Sequence, residues 1–158
     1  MALYVKIDGI DGQVTTEGHE KWIEVHSVQY GVSRQTYTGA AGANREGSHP
    51  TISDITISKV FDVASSGLYR DSVAGAFDKK VLIHFTATTK DKTETYLELE
   101  LTDCGVSGYS VSSGGDQPME SLSLNFSKIM YTPSPLDTKG TPKKGAVVTY
   151  DLLKMKAS

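Results

Sequence analysis

The sequence predicts a mainly β protein, an antiparallel β-barrel of two curled sheets with one short α-helix at its side. Apolar and polar residues alternate with a period of two along several separate stretches, which is the pattern of strands with one buried and one wetter face. Turn-forming residues separate these stretches. The 158 residues fit one domain, 1–158, that is long enough to bury a core.

The first strand is predicted at the N-terminus, where residues 3–8 alternate apolar and polar and carry charges early. This pattern differs from the uninterrupted apolar core of a signal peptide. We therefore expect a protein that is made in the cytoplasm and leaves it only through a dedicated machine.

The next strand is predicted over residues 22–34, and it should be bent. Its apolar residues change parity between Val25 and Val28. One extra residue in a strand moves the following side chains to the other face. We therefore expect a bulge near Ser27.

Four further strands are predicted from runs that place three apolar residues on one face. The runs contain Ile55, Ile57 and Phe61; Val81, Ile83 and Phe85; Leu97, Leu99 and Leu101; and Leu122, Leu124 and Phe126. Lys59 interrupts the apolar face of the first run. Residues 90–93 suit a turn, while Gly105 and Gly108 are expected to bend a long strand. Residues 147–153 resume as a closing strand.

One short helix is predicted within residues 64–77. Its residues at helical spacing are Leu68, Ser72 and Val73. Ser65 or Ser66 can accept hydrogen bonds from the free N–H groups of the first turn, and Gly75 can end the helix.

Two stretches are predicted to be loops. Residues 36–50 form an extended loop without a periodic apolar face, and a loop of this length is uncommon in a compact domain unless it has a function. Residues 132–146 are rich in proline and lysine, with three of the five prolines of the chain.

Composition and charge argue against several classes of protein. The net charge of −3 offers no basic surface for nucleic acid. No apolar run approaches the roughly 20 residues that a membrane-spanning helix needs, so no membrane insertion is expected. The single cysteine, Cys104, excludes an internal disulfide and is interpreted as a half-buried strand residue.

Two glycine-containing segments superficially suggest ligand binding. Residues 42–48 have the glycine spacing of a phosphate-binding P-loop, but Ser48 stands where the lysine is required. Residues 8–12 place two aspartates beside glycines, but they lack the register of a calcium loop. Asp-Gly pairs are typical of tight turns, so we interpret this segment as a turn.

The titratable residues form no recognisable catalytic pattern. The four histidines show no zinc-ligand spacing, and His26 and His84 are predicted on the wetter faces of strands. Glu98 and Glu100 are interpreted as charges on a solvated strand face. No serine lies in a nucleophile elbow. We therefore predict no catalytic, cofactor-binding or metal-binding residues, and a protein that is not an enzyme.

Five segments in register resemble the Hcp (hemolysin-coregulated protein) family. They are VKIDGIDG at 5–12, IEVHS at 23–27, TISDITISKVFD at 51–62 followed by ASSGL at 64–68, ESLSLNFSKIMY at 120–131, and VTYDL at 148–152. The chain departs from the family at Val28, where many members carry an aromatic residue, and at Tyr150-Asp151, where many have Trp-Asp.

The resemblance implies a structural subunit of a type VI secretion machine. Six copies would close into a ring, and rings would stack into the inner tube, which the machine's sheath and spike proteins accompany. The tube would be secreted and would carry or chaperone effector proteins in its lumen. The extended loop would lie where rings meet. The residues that the resemblance assigns to this stacking are Thr38, Gly39, Gly42, Asn44, Arg45, Glu46 and Gly47.

The alternative is a stand-alone β-barrel module that binds a carbohydrate or another small ligand. Such a module needs a concave site lined by aromatic residues. The candidates, spread over several predicted elements, are Trp22, Tyr30, Tyr69, Tyr96, Tyr109 and Tyr150.

Overall fold

The computed structural model describes residues 1–38 and 45–158, with Thr38, Arg45 and Glu46 described in their backbone alone. Strands account for most of the regular structure, as predicted. They are β1 (Ala2–Ile7), β2 (Ile23–Val25), β3 (Ser27–Gln29), β4 (Val32–Ser33), β5 (Thr36–Thr38), β6 (Arg45–Gly47), β7 (Thr51–Ile52), β8 (Ile55–Val60), β9 (Lys79–Thr89), β10 (Lys92–Ser112), β11 (Met119–Asn125), β12 (Lys128–Pro133), β13 (Val148–Asp151) and β14 (Lys156–Ala157). The helix α1 spans Ser65–Ala74.

Ten of these strands form one antiparallel sheet that is organised around β10. One path runs β14-β13-β12-β10-β11-β8-β3, and a branch from β10 continues through β9 and β1 to β2. The 21 residues of β10 pair first with β9 and β12, and later with β11. β10 therefore belongs to both curled halves of the sheet. The described strands do not close into a complete barrel.

The core lies between the two halves and is built from the predicted alternating residues. Its members buried to 1 % exposure or less include Val5, Ile23, Val81, Ile83, Leu99 and Leu101 from one half, and Ile55, Ile57 and Leu124 from the other. Phe126 is also buried, but Phe61 lies beyond the end of β8 with 56 % of its surface exposed. The prediction that Phe61 shares the buried face was therefore wrong, because the strand ends before it.

The parity change near Ser27 has a different cause from the predicted bulge. β2 ends at Val25 and pairs with β1, whereas β3 begins at Ser27 and pairs with β8 in the other half. His26 lies between them, and its backbone N–H donates to Ser58 O at 2.7 Å. The chain thus changes from one half of the sheet to the other at His26.

An irregularity is present next to Gly108, one of the two glycines predicted to bend the strand. The register between β10 and β11 shifts between Val106 and Gly108, which is the irregularity that a β-bulge produces. At Gly105 the ring of Phe77 covers the backbone, and a Cβ atom there would lie 2.7 Å from Phe77 Cδ1.

The predicted turn at 90–93 joins β9 to β10 with two residues. Lys90 and Asp91 have φ values of 48° and 64°. Positive φ at both central residues matches the twist of the flanking strands in a two-residue hairpin. The strand β14 at the C-terminus had not been predicted.

α1 occupies the predicted segment, but its first turn is arranged differently from the prediction. The N-cap is Ala64, without a side-chain capping bond, so neither Ser65 nor Ser66 caps the helix. Instead Ser65 Oγ accepts from the N–H of Asp62, and Asp62 Oδ1 accepts from the N–H of Ala64. Gly75 ends the helix as predicted, and its N–H donates to Asp71 O at 2.9 Å.

Candidate assembly surface

Large apolar side chains remain exposed around α1. Tyr69 and Val73 lie four residues apart in α1 and so share one face of the helix. Phe77 lies after Gly75, which ends the helix in an extended conformation, and its ring packs over Gly105. All three side chains are exposed. Their exposed fractions are 57 %, 66 % and 50 %. Val63, at 63 %, and Phe61 precede the helix. We call these five residues the α1 surface. Phe61, Val63 and Tyr69 border one open hollow. Exposed apolar side chains grouped in this way are typical of a site of protein–protein contact.

The N-terminal end of α1 is fixed by a buried ionic network. Lys59 Nζ lies 2.9 Å from Glu120 Oε1 and 2.8 Å from Asp62 Oδ1. Ser65 Oγ and Tyr109 OH both donate to Glu120. The network therefore links β8, β10, β11 and the first turn of α1, and it explains why Lys59 interrupts an apolar strand face.

The protonation states in this network follow from its hydrogen bonds. Burial alone would raise the pKa of Glu120, but hydrogen bonds from Lys59, Ser65 and Tyr109 outweigh it and leave the pKa lowered. Burial, together with the hydrogen bond to Glu120, raises the pKa of Tyr109 to about 12. At neutral pH, Glu120 is thus a carboxylate that accepts from three side chains.

The other end of α1 is fixed by Asp71. Its Oδ1 forms an ion pair with Lys79 Nζ, and its Oδ2 accepts the backbone N–H of Val106 at 3.0 Å. Asp71 is 6 % exposed, so both bonds are largely protected from water. α1 is consequently attached to the sheet at both ends, while the α1 surface faces outward.

The predicted stacking loop begins and ends as a hairpin. β5 pairs with β6 through Thr36↔Gly47, Tyr37↔Glu46 and Thr38↔Arg45, so the prediction of a loop throughout 36–50 was wrong at its two ends. Backbone and side-chain bonds between Gln35 and Ser48 close its base.

Of the residues that the resemblance assigns to stacking, some belong to the strands of this hairpin and some do not. Thr38 belongs to β5, whereas Arg45, Glu46 and Gly47 belong to β6. Gly39, Gly42 and Asn44 lie outside the described residues.

The candidate aromatic residues for a ligand site do not converge on one cavity. Tyr30 and Tyr150 line an apolar groove of about 210 Å³ next to β12 and β13. Tyr69 and Tyr109 pack edge to face beside α1, with 5.6 Å between ring centroids. Trp22 and Tyr96 lie in two further places: Trp22 packs on His84, and Tyr96 packs on Phe85.

Two negative findings apply to residues 1–38 and 45–158. No group of three or more His, Cys, Asp or Glu side chains is placed to hold a metal ion there. In the same part of the chain, no helix is both long enough and apolar enough to cross a membrane.

Comparison with solved structures places the whole fold among type VI secretion proteins. A structure described as a type six secretion system protein shares 25 % identity, covers 99 % of each chain and superposes with a TM-score of 0.91. Hcp1 from Salmonella typhimurium shares 24 % identity over 99 % of this chain and 98 % of its own, with a TM-score of 0.76. A type VI secretion system effector from Yersinia pestis shares 20 % identity over 94 % and 98 %, with a TM-score of 0.71.

Sequence comparison assigns the family. No curated protein matches the chain. The family described as "Type VI secretion system effector, Hcp" matches residues 4–132, which is more than half of the chain. The resemblance found in the five sequence segments is therefore confirmed, and the chain belongs to the Hcp family of type VI secretion system effectors.

Proposed function

We propose that this protein is a ring-forming subunit of the inner tube of a type VI secretion machine. The observation that carries the proposal is the α1 surface, an exposed apolar surface on and beside a helix whose two ends are both attached to the sheet by buried charged groups. A rigid apolar surface loses little conformational entropy when it is covered, which favours association with a second copy. A closed ring also covers sheet edges that would otherwise pair without limit.

The finer parts of the proposal follow the family. Six copies close into a ring, rings stack through the β5–β6 hairpin, and the tube is secreted after synthesis in the cytoplasm. Sheath and spike proteins surround and cap the tube, and effector proteins travel in its lumen. The subunit performs no reaction of its own.

The alternative of a small-ligand module has little support in the geometry. Pockets for such ligands usually enclose about 300–1,000 Å³. The apolar groove beside Tyr30 and Tyr150 holds about 210 Å³, which is below this range. Tyr69 and Tyr109 border a hollow of about 700 Å³ that belongs to the α1 surface, and Tyr96 borders another of about 500 Å³. Among the described residues, no one hollow brings together more than two of the six candidate aromatic residues. We therefore do not propose ligand binding as the function.

The test is to place a charge in the α1 surface and to measure the mass of the assembly. Val73→Glu is suitable because Val73 is 66 % exposed, so the fold tolerates the change. Leu153→Glu is the matched control, since Leu153 is 80 % exposed in the turn after β13. By light scattering, wild type and Leu153→Glu should be hexamers and Val73→Glu a monomer. A monomeric wild type at high micromolar concentration contradicts ring formation. A hexameric Val73→Glu variant contradicts the role of the α1 surface.

A further inference from the structure

Two histidines that are far apart in the sequence meet on the outer face of the sheet. His84 stands on β9 between Tyr4 of β1 and Glu98 of β10, in one row across the three strands. Their neighbours Val5, Ile83 and Leu99 face the core, so this row faces away from it. His84 was predicted on the wetter face of its strand, and it lies on that outer face, but its side chain is only 15 % exposed because this part of the face is covered. Glu98 beside it is 32 % exposed.

Residues 12–22, which we call the covering segment, lie over this row. Within the segment, the backbone N–H of Gly12 donates to Lys21 O at 2.7 Å and that of Lys21 donates to Val14 O at 2.8 Å. These bonds hold the segment to itself and not to the sheet.

The covering segment contacts the sheet mainly through aromatic rings. His19 is 5 % exposed, and its Nε2 lies 2.9 Å from His84 Nδ1. The ring of Trp22 packs on that of His84 with 4.5 Å between centroids, and the ring of His19 lies 4.8 Å from that of Tyr4. A hydroxyl contact of 3.2 Å joins Tyr4 to Thr16. The two histidines therefore form the centre of the contact.

The hydrogen-bond network assigns a proton to each ring. His84 Nε2 lies 2.7 Å from Glu98 Oε2, a charge contact that falls outside hydrogen-bond geometry, and because a carboxylate cannot donate, the contact favours a proton on Nε2. His84 Nδ1 then accepts from His19 Nε2–H. The remaining nitrogen, His19 Nδ1, is buried and has no hydrogen-bond partner among the described residues. Because burial lowers the pKa of both histidines, both rings are neutral above pH 6.5, and His19 Nδ1 then carries no proton.

We propose that His19 and His84 form an acid-sensitive clasp, which releases the covering segment from the outer face of the sheet when both rings are protonated. The hydrogen bond between the two rings needs one nitrogen without a proton as its acceptor. One added proton can be shared by the pair, but a second leaves two N–H groups facing each other at the present 2.9 Å. The clasp does not depend on the proposed function.

The groups facing the clasp come from every neighbouring element. Glu98 on β10 contacts His84, Glu24 on β2 stands opposite Tyr4 on β1, and the covering segment brings Glu17 and Glu20. These carboxylates favour protonated histidines. Burial opposes them and, with repulsion between the rings, lowers the pKa of His19. Burial likewise lowers the pKa of His84, against the opposing effect of Glu98.

The direction of the pH effect follows from these lowered values. A histidine whose pKa is lowered in the closed state binds fewer protons there than when the segment is released. The closed state therefore keeps its full stability above the ordinary histidine pKa of 6.5 and loses stability as the pH falls below it. Acid favours release.

Hydrogen exchange tests the clasp directly. The amides of Gly12, Val14 and Lys21 report opening of the covering segment, after correction for the intrinsic effect of pH on exchange. Each proton taken up on opening raises the opening equilibrium by about tenfold per pH unit below 6.5. Trp22, the one tryptophan of the chain, gives a second measurement, since its emission should shift to longer wavelength on release.

A double variant separates protonation from packing. In His19→Gln/His84→Asn, the Gln amide nitrogen can donate and the Asn oxygen can accept, so the bond is kept without a titrating group. Its exchange should stay slow and independent of pH between 7.5 and 5. The control His26→Gln/His49→Gln changes two exposed histidines and should behave as wild type.

If the covering segment of the double variant is open at every pH, hydrogen exchange in the wild type still tests the clasp. Exchange in wild type that does not accelerate below pH 6.5, or accelerates equally across the β9–β10 core, overturns the clasp. So does a double variant that is protected at pH 7.5 and still opens in acid. Acceleration confined to the covering segment, together with the Trp22 shift, supports the proposal.

Discussion

Lys59 and Glu120 are direct cross-strand partners on β8 and β11, and their side chains form an ion pair of 2.9 Å with no exposed surface on either side. Two charges buried together are costly unless every polar atom is satisfied. Here Asp62, Ser65 and Tyr109 complete the hydrogen bonds. The network connects the β-sheet to the start of α1, so it positions the surface that we assign to assembly.

Lys59→Met should lower the free energy of unfolding by about 3–5 kcal/mol, because Glu120 then stays buried without its cation. Urea denaturation of the variant and the wild type measures the difference. The matched control is Lys59→Met/Glu120→Leu, which removes both charges and should recover part of the loss, since Ser65 and Tyr109 then lose their acceptor. A Lys59→Met variant within about 1 kcal/mol of wild type would show that the pair contributes little.

The lowered pKa of Glu120 predicts a loss of stability in acid. The folded protein holds this carboxylate charged, so its contribution is complete above the ordinary pKa of 4.5 and is lost as the pH falls below it. In Glu120→Gln, unfolding free energy should decline less steeply with acid from about pH 5 downward. Asp116→Asn, at an exposed carboxylate, should retain the wild-type decline. Equal slopes in all three proteins would refute the assignment.

The sequence predicts the core because the alternation of apolar and polar residues within each strand shows which side chains are buried. The alternation around Ile57, Ile83, Leu99 and Leu124 is local, and all four residues are buried as expected. The signal for α1 is also local, because it lies within residues 64–77. The strand β14 escaped prediction because its two residues are too short to show a period.

Contacts between distant residues could not be predicted in the same way. Lys59 stood out in an apolar run, but its partner Glu120 is 61 positions away and looks like an ordinary strand-surface charge. His19 and His84 are separated by 65 positions, and zinc-ligand spacing was the wrong pattern for finding them. In both cases, the pairing depends on which strands become neighbours.

Cys104 should be unreactive in the folded protein. It has no exposed surface, and burial, the largest cause, raises the pKa of its thiol to about 12, so almost no thiolate exists at pH 8. A disulfide reagent should therefore modify Cys104 only after denaturation. A Cys104→Ser variant carrying Ser112→Cys places a thiol at an exposed position and should react at once. Comparable rates at the two positions would mean that the interior around Cys104 opens readily.

Shortening the β5–β6 hairpin should separate folding from stacking. Tyr37 and Glu46 are cross-strand partners, so an Asn-Gly turn in place of residues 38–45 would join them as a two-residue hairpin. We expect an unchanged melting temperature and intact rings, but no tubes by electron microscopy and no secretion. A second variant, with 38–45 replaced by eight Gly and Ser residues, tests whether length alone suffices. Tubes in the shortened variant would remove the hairpin from the stacking contact.

A substitution at Gly105 should disturb the α1 surface, because the ring of Phe77 packs over this residue. A Cβ at this position would lie 2.7 Å from Phe77 Cδ1, so Gly105→Ala must displace the Phe77 ring. Because that ring is half exposed and can turn outward, the cost should be about 1 kcal/mol, at the low end for overpacking. Ring assembly should weaken more than the fold, since Phe77 belongs to the α1 surface. Gly114→Ala, where nothing lies within 4 Å of the new atom, is the control and should assemble as wild type. If Gly105→Ala forms rings at the wild-type concentration, the position of Phe77 does not matter for assembly.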